Sequence, residues 1–144
     1  MTLFGHPLHP STVHFPITLY LLAVLLTLGY VWRGLPAYER FAYWSLCLSW
    51  LATIITSLIG LIDQNQLAVN DPRRSDINAH ITGGVALIII NGLLVYMRFR
   101  WDDVLNRYRW PYLGLLTLGV VAVLATAWLG GDLVYRLRIG VQGG

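Results

Sequence analysis

Histidine is the residue type in this sequence best suited to chemistry, and there are four of them: His6, His9, His14 and His80. Imidazole nitrogens bind haem iron, zinc and copper, and they exchange protons near neutral pH. His6, His9 and His14 follow one another within a single short N-terminal segment. Such clustering in a chain with only 12% charged residues indicates a ligand-binding or redox role.

The elements that must position these histidines belong to a membrane protein. Of the 144 residues, which suit one domain, 56% are hydrophobic, and the mean hydropathy is +0.60. The charged fraction of 12% is about half that of a typical soluble domain. The basic residues are all Arg and lie in short segments between apolar runs rather than in one patch, which argues against nucleic-acid binding.

Four apolar segments are long enough to cross a lipid bilayer, at residues 15–32, 41–62, 81–97 and 110–131. None contains Asp, Glu, Lys or Arg, and a backbone in lipid must satisfy its own hydrogen bonds, so each segment is predicted to be a helix. The connections are short, which favours antiparallel neighbours. The sequence therefore predicts an all-α, integral membrane, antiparallel four-helix bundle, with residues 1–144 as a single membrane domain.

The distribution of arginine predicts how this bundle crosses the membrane. Six of the ten Arg lie in the first and third connections and four lie on the other side. Because cytoplasmic loops carry the excess of basic residues, the first and third connections are predicted to be cytoplasmic. Both termini and all four histidines would then face the extracytoplasmic side.

Our leading hypothesis for the site is a b-type haem with His14 and His80 as axial ligands. These two residues lie at the same ends of helices 1 and 3, which run parallel in the predicted bundle. Gly84, one turn after His80, either leaves open space beside the imidazole or permits close helix packing. Arg73 and Arg136 lie on the same side and are predicted to meet the haem propionates.

The alternative hypothesis is a discrete zinc or copper ion. Its predicted ligands are His6, His9, His14 and His80, together with Asp63 at the end of helix 2. Prolines between and beside the first histidines predict an extended N-terminal arm that carries His6 and His9 up to the start of helix 1.

Several motifs at the two ends of the chain resemble those of a known family. They are His-Pro-Leu-His-Pro at residues 6–10, Val-His-Phe-Pro at 13–16, Gly-Leu-Ile-Asp at 60–63, and Gly-Gly-Asp-Leu-Val-Tyr at 130–135. The sequence is similar over nearly its whole length to small bacterial four-helix membrane proteins catalogued as a domain of unknown function. The resemblance implies this topology and a bacterial cytoplasmic (inner) membrane location, and it implies no activity.

Three alternative hypotheses for the function follow from these patterns. The first is a redox protein that passes electrons between a quinone pool and an extracytoplasmic electron-transfer protein. The second is a metal-binding membrane protein that uses the histidine cluster. The third is a non-catalytic subunit of a membrane complex. The sequence does not decide whether the protein is an enzyme, and it leaves a homo-oligomer in the bilayer open.

Overall fold

Four long helices make up most of the protein. The computed structural model describes the backbone of residues 2–3, 6–64 and 70–139, and the side chains of residues 8–62 and 70–139. In chain order the elements are β1 (Thr2–Leu3), β2 (His6–Pro7), α1 (Leu8–Thr12), α2 (His14–Arg33), α3 (Pro36–Gln64), α4 (Arg74–Arg100), α5 (Val104–Arg107) and α6 (Arg109–Tyr135). The short β1 and β2 pair with each other in an antiparallel arrangement. The predicted all-α membrane bundle is confirmed.

The helices that can span the membrane are longer than the apolar runs predicted from the sequence. By length and composition they are Leu8–Arg33, Pro36–Ile62, Arg74–Arg100 and Arg109–Tyr135. Each contains one predicted segment and extends beyond it into residues with charged or polar side chains. Arginine at a helix end can reach the membrane surface along its own alkyl stem, so the helix does not stop where the charge begins.

The N-terminal arm differs from its prediction, because Leu8–Thr12 is helical rather than extended. Pro10 lies in the first turn of α1, where a missing N–H costs nothing. Pro16 cannot donate to the carbonyl of Thr12, which accounts for the break between α1 and α2 at Val13. This short helix changes the direction in which its side chains point.

The bundle consists of two helical hairpins. Helix α2 packs mainly against α3, and α4 packs mainly against α6, while α3 and α4 join the hairpins. Contact between α2 and α6 is slight but specific: the Tyr20 hydroxyl donates a hydrogen bond of 3.0 Å to the Leu116 carbonyl. A Cβ at Gly119 would overlap that hydroxyl, so glycine permits the close approach, as small residues commonly do between membrane helices.

A buried arginine ties all four helices together at the end of the bundle away from the histidines. Arg98 of α4 has a side chain only 2% exposed. Its guanidinium donates to the Tyr112 hydroxyl at 2.8 Å, to the Thr27 hydroxyl at 2.9 Å and to the Glu39 carbonyl at 2.8 Å. The Glu39 carboxylate completes an ion pair at 3.3 Å. The sequence indicated a loop arginine here, whereas the structure makes it part of the core.

Candidate functional site

Two histidines meet at the end of the bundle that carries the chain termini. His9 belongs to α1 and His80 to the second turn of α4. Their ring centres are 5.8 Å apart, and the ring planes cross at 86°. Both rings are partly buried. The two hairpins therefore each contribute one imidazole to a shared site.

A backbone carbonyl holds each imidazole. The Nδ1 atom of His9 lies 2.9 Å from the Thr56 carbonyl of α3, and Nδ1 of His80 lies 3.0 Å from the Thr126 carbonyl of α6. A carbonyl oxygen can only accept, so in each bond Nδ1 is the donor and carries the proton. Each neutral ring then has an unprotonated Nε2, the atom that can bind a metal or accept a proton.

Glycine makes room for both rings. Gly60 and Gly130 each lie four residues after the threonine that binds the imidazole. A Cβ at Gly60 would lie 2.8 Å from Cε1 of His9, and a Cβ at Gly130 would lie 2.9 Å from Cε1 of His80. Both separations are too short for real side chains, so any residue larger than glycine must displace the imidazole.

The space beside His80 is not where the sequence predicted it. A Cβ at Gly84 would make an ordinary contact of 3.6 Å with the Ser57 hydroxyl oxygen of α3. It is Gly130, from α6, that adjoins the His80 ring. The prediction placed open space on the histidine's own helix, whereas the imidazole itself fills the space that Gly130 of α6 leaves.

The predicted pairing of His14 with His80 is not the pairing found. His14 is the first residue of α2 and its side chain is exposed. Within the described part of the chain, the ring that contacts His80 is that of His9. The helical turn of α1 carries His9 inward to α3, which the extended arm expected from the prolines would not do. The side chains of His6 and Asp63 lie outside the described residues.

The metal alternative predicted a cluster of several ligands. Among the described side chains, residues 8–62 and 70–139, no three His, Cys, Asp or Glu are grouped so that they could hold a metal ion together. Within that part of the chain, the site consists of two imidazoles.

Arg73 and Arg136, predicted to meet the propionates, both have acidic partners. Arg73 binds Asp71 through two side-chain hydrogen bonds, of 2.9 and 2.6 Å, and this lowers the pKa of the Asp71 carboxyl to about 2. Arg136 binds Asp132 at 2.6 Å and lies 3.8 Å from Asp76 at the start of α4. Their charges are thus largely balanced by protein carboxylates at the surface.

Sequence reasoning missed the residues that receive the two rings. The same pattern, Thr followed four residues later by Gly, occurs in α3 at Thr56 and Gly60 and in α6 at Thr126 and Gly130. Its repetition near the ends of two helices was a usable signal. It marks the two helices that receive a histidine: α3 receives His9 of α1, and α6 receives His80 of α4.

Comparison with known proteins agrees with the fold. The model of a family described as "Predicted membrane protein (DUF2231)" matches residues 5–143. The chain belongs to this family. The DUF2231 description agrees with the four spanning helices and names no activity, and it confirms the family resemblance drawn from the sequence. No curated protein and no solved structure matches the chain.

Proposed function

We propose that this protein is a membrane-embedded redox protein that binds b-type haem through His9 and His80. The observation that carries the proposal is the pair of adjacent imidazoles, each held through Nδ1 by a main-chain carbonyl. This is the arrangement that fixes a histidine's tautomer and ring direction for metal binding. His9 takes the place that sequence reasoning gave to His14.

The two imidazoles of the described site suit haem better than a bare zinc ion. Zinc sites in proteins use three or four protein ligands. In haem the porphyrin supplies four nitrogens, so His9 and His80 would be the two protein ligands that hold the group. The site formed by the described side chains offers two imidazoles.

The spacing of the rings is compatible with two ligands on one metal atom. Two imidazoles that held one metal atom through bonds of about 2.0 Å would have ring centres on the order of 6 Å apart, because each ring centre lies beyond its nitrogen. The centres of His9 and His80 are 5.8 Å apart. Each ring bonds through one in-plane lone pair, so a crossing angle of 86° between the planes is permitted.

The chain's own residues would hold and orient the haem, which would serve as a one-electron carrier when bound. Helices α3 and α6 fix the two imidazoles through Thr56 and Thr126. Arg136 is 58% exposed and its contact with Asp76 is long, at 3.8 Å, so it can exchange that carboxylate for a propionate. The site lies at the end carrying the termini, where a quinone in the bilayer and an extracytoplasmic electron-transfer protein can both approach. By the arginine bias that end faces away from the cytoplasm of a bacterial cell.

An absorption spectrum tests the proposal. The protein is expressed with ample haem, purified in detergent, and measured oxidised and after reduction with dithionite. We expect a Soret band that is lost or shifted in His9→Ala and in His80→Ala. His14→Ala is the matched control, since its side chain is exposed, and it should keep the wild-type spectrum.

The contrary outcomes identify the competing functions. A wild-type protein without a Soret band contradicts haem binding, and stoichiometric zinc or copper by elemental analysis would then favour the metal site. Loss of the band in His14→Ala but not in His9→Ala would restore the ligand pair predicted from the sequence. Neither haem nor metal in the wild type would leave the non-catalytic subunit as the better explanation.

A further inference from the structure

A groove opens on the outside of α2, near the end of the bundle away from the histidines. It is open to the outside and has a volume of about 320 Å³. Three leucines of α2 form its apolar wall: Leu22, Leu25 and Leu26. Its other end, next to the connection between α2 and α3, is lined by Trp32, Arg33 and Tyr38. The groove is separate from the histidine site and takes no part in the proposed function.

Among the residues that the structure describes, the connection beside this groove is too short to cover it. The link between α2 and α3 is only Gly34 and Leu35, and both are exposed. The link between α4 and α6 instead contains α5, whose Val104 and Leu105 are buried in the core. The first hairpin therefore lacks the covering segment that the second hairpin has.

Arg33 gives the groove a positive charge. The Arg33 guanidinium lies 4.6 Å from the centre of the Trp32 ring, and Trp32 is 78% exposed. Arg33 has no ion pair with any acid in the described part of the chain. An exposed tryptophan beside an arginine is typical of the depth at which lipid headgroups lie.

The whole face around Arg33 carries the net charge of the protein. The first and third connections with their helix ends hold six Arg and three acids, whereas the histidine end holds four Arg and four acids. The formal charge of +3 thus lies entirely on the face with the groove. An occupant of this groove must combine an apolar chain with a negative head.

We propose that the groove binds an anionic phospholipid, with an acyl chain along the leucine wall and the phosphate on Arg33. A guanidinium pairs with phosphate oxygens through two parallel hydrogen bonds, and it keeps its charge at any pH the membrane meets. The apolar wall is already exposed to lipid, so a bound acyl chain replaces a mobile one without uncovering polar groups.

Native mass spectrometry tests this site directly. The detergent-solubilised protein is mixed with equal amounts of phosphatidylglycerol and phosphatidylcholine, and the retained lipids are counted. We expect phosphatidylglycerol to be retained in preference. Arg33→Gln should weaken its binding roughly fivefold, which corresponds to the ~1 kcal/mol that one arginine contributes near an anionic lipid surface.

Arg107→Gln is the matched control. Arg107 also lies over an aromatic ring, that of Tyr108 at 5.3 Å, on the same face but outside the groove. It should leave phosphatidylglycerol binding unchanged. Equal losses in the two variants would show a diffuse charge effect and overturn the site. Equal retention of both lipids by the wild type, or unchanged binding in Arg33→Gln, would overturn it as well.

Discussion

At the scale of single residues, main-chain oxygens rather than acidic side chains orient the two imidazoles. The carbonyls of Thr56 and Thr126 fix the proton of His9 and His80 on Nδ1. A carbonyl adds no negative charge to the site, and because Nδ1 is the donor, Nε2 is the atom that carries the free lone pair of a neutral ring. Sequence reasoning looks for carboxylates near histidines and cannot see which carbonyl a packed helix will present.

Gly130→Ala should weaken cofactor binding while the bundle still folds. The new Cβ would lie 2.9 Å from Cε1 of His80 and push the ring off the Thr126 carbonyl. Loss of such an orienting contact typically costs about 10–100-fold in affinity. Haem titration of the detergent-solubilised protein measures the effect.

Gly131→Ala is the control for that experiment, because a Cβ at Gly131 meets nothing within 4 Å. It should bind haem as the wild type does. An equal loss of affinity in both variants would mean that helix α6 tolerates no added methyl group here, and the contact with His80 would not be the cause.

The Asp71 carboxylate should make a pH-dependent contribution to stability. Its hydrogen bonds from the Arg73 side chain and backbone lower its pKa from 3.8 to about 2. A lowered pKa stabilises the folded state above the unfolded-state value, and this contribution disappears as the pH falls through the folded-state value. The thermal midpoints of wild type and Asp71→Asn should therefore differ above about pH 4 and converge toward pH 2. A difference that stays constant over that range would contradict the assignment.

At the scale of helices, the sequence predicted the four spans because long apolar runs without ionisable residues have one stable form in lipid. Their ends were predicted too short, since arginines such as Arg74 and Arg100 were taken as loop residues. The prediction of an extended N-terminal arm was wrong for a different reason. Proline is disfavoured in the interior of a helix but is tolerated in its first turn, so Pro10 is compatible with α1. That single turn decides which histidine joins His80.

Arg98→Ala should be among the most destabilising single substitutions at the far end of the bundle. It removes the bonds to Thr27, Glu39 and Tyr112, and it leaves buried hydroxyl groups without their partner. Breaking a buried charged network costs about 3–5 kcal/mol. The partly exposed Glu39 carboxylate can turn to water, so we expect about 2–4 kcal/mol from unfolding in mixed micelles.

The control for Arg98→Ala is Arg100→Ala, two residues later on the same helix. Arg100 is exposed and its guanidinium lies over the Trp101 ring at 5.6 Å. Its loss should change the unfolding free energy by less than about 1 kcal/mol. If the two variants unfold alike, the buried network does not hold the helices together.

At the scale of the whole molecule, composition and periodicity were enough to predict the bundle and the common location of the histidines. They were not enough to predict the site. His80 was identified because the sequence predicted it at the start of a helix at the correct end. Its partner and the two glycines depend on how helices from different parts of the chain pack. The repeated Thr and Gly spacing in α3 and α6 is readable in the sequence, yet its meaning requires the structure.

A labelling experiment can determine which end of the bundle faces the cytoplasm. Asn70→Cys and Asn106→Cys place single thiols on exposed positions at opposite ends, in a background with Cys47→Ala. Because the face with Asn106 carries the excess positive charge, it should be cytoplasmic. A membrane-impermeant thiol reagent should label position 70 in spheroplasts and position 106 only after lysis. The reverse pattern would contradict the predicted orientation.

The placement of one histidine on each hairpin also has a consequence for assembly. The hairpins touch mainly through α3 and α4, and contact between α2 and α6 is slight. A ligand bound by both His9 and His80 would act as a cross-link between halves that enter the bilayer one after the other. Because the ligand would bind only the associated hairpins, its binding would stabilise their association.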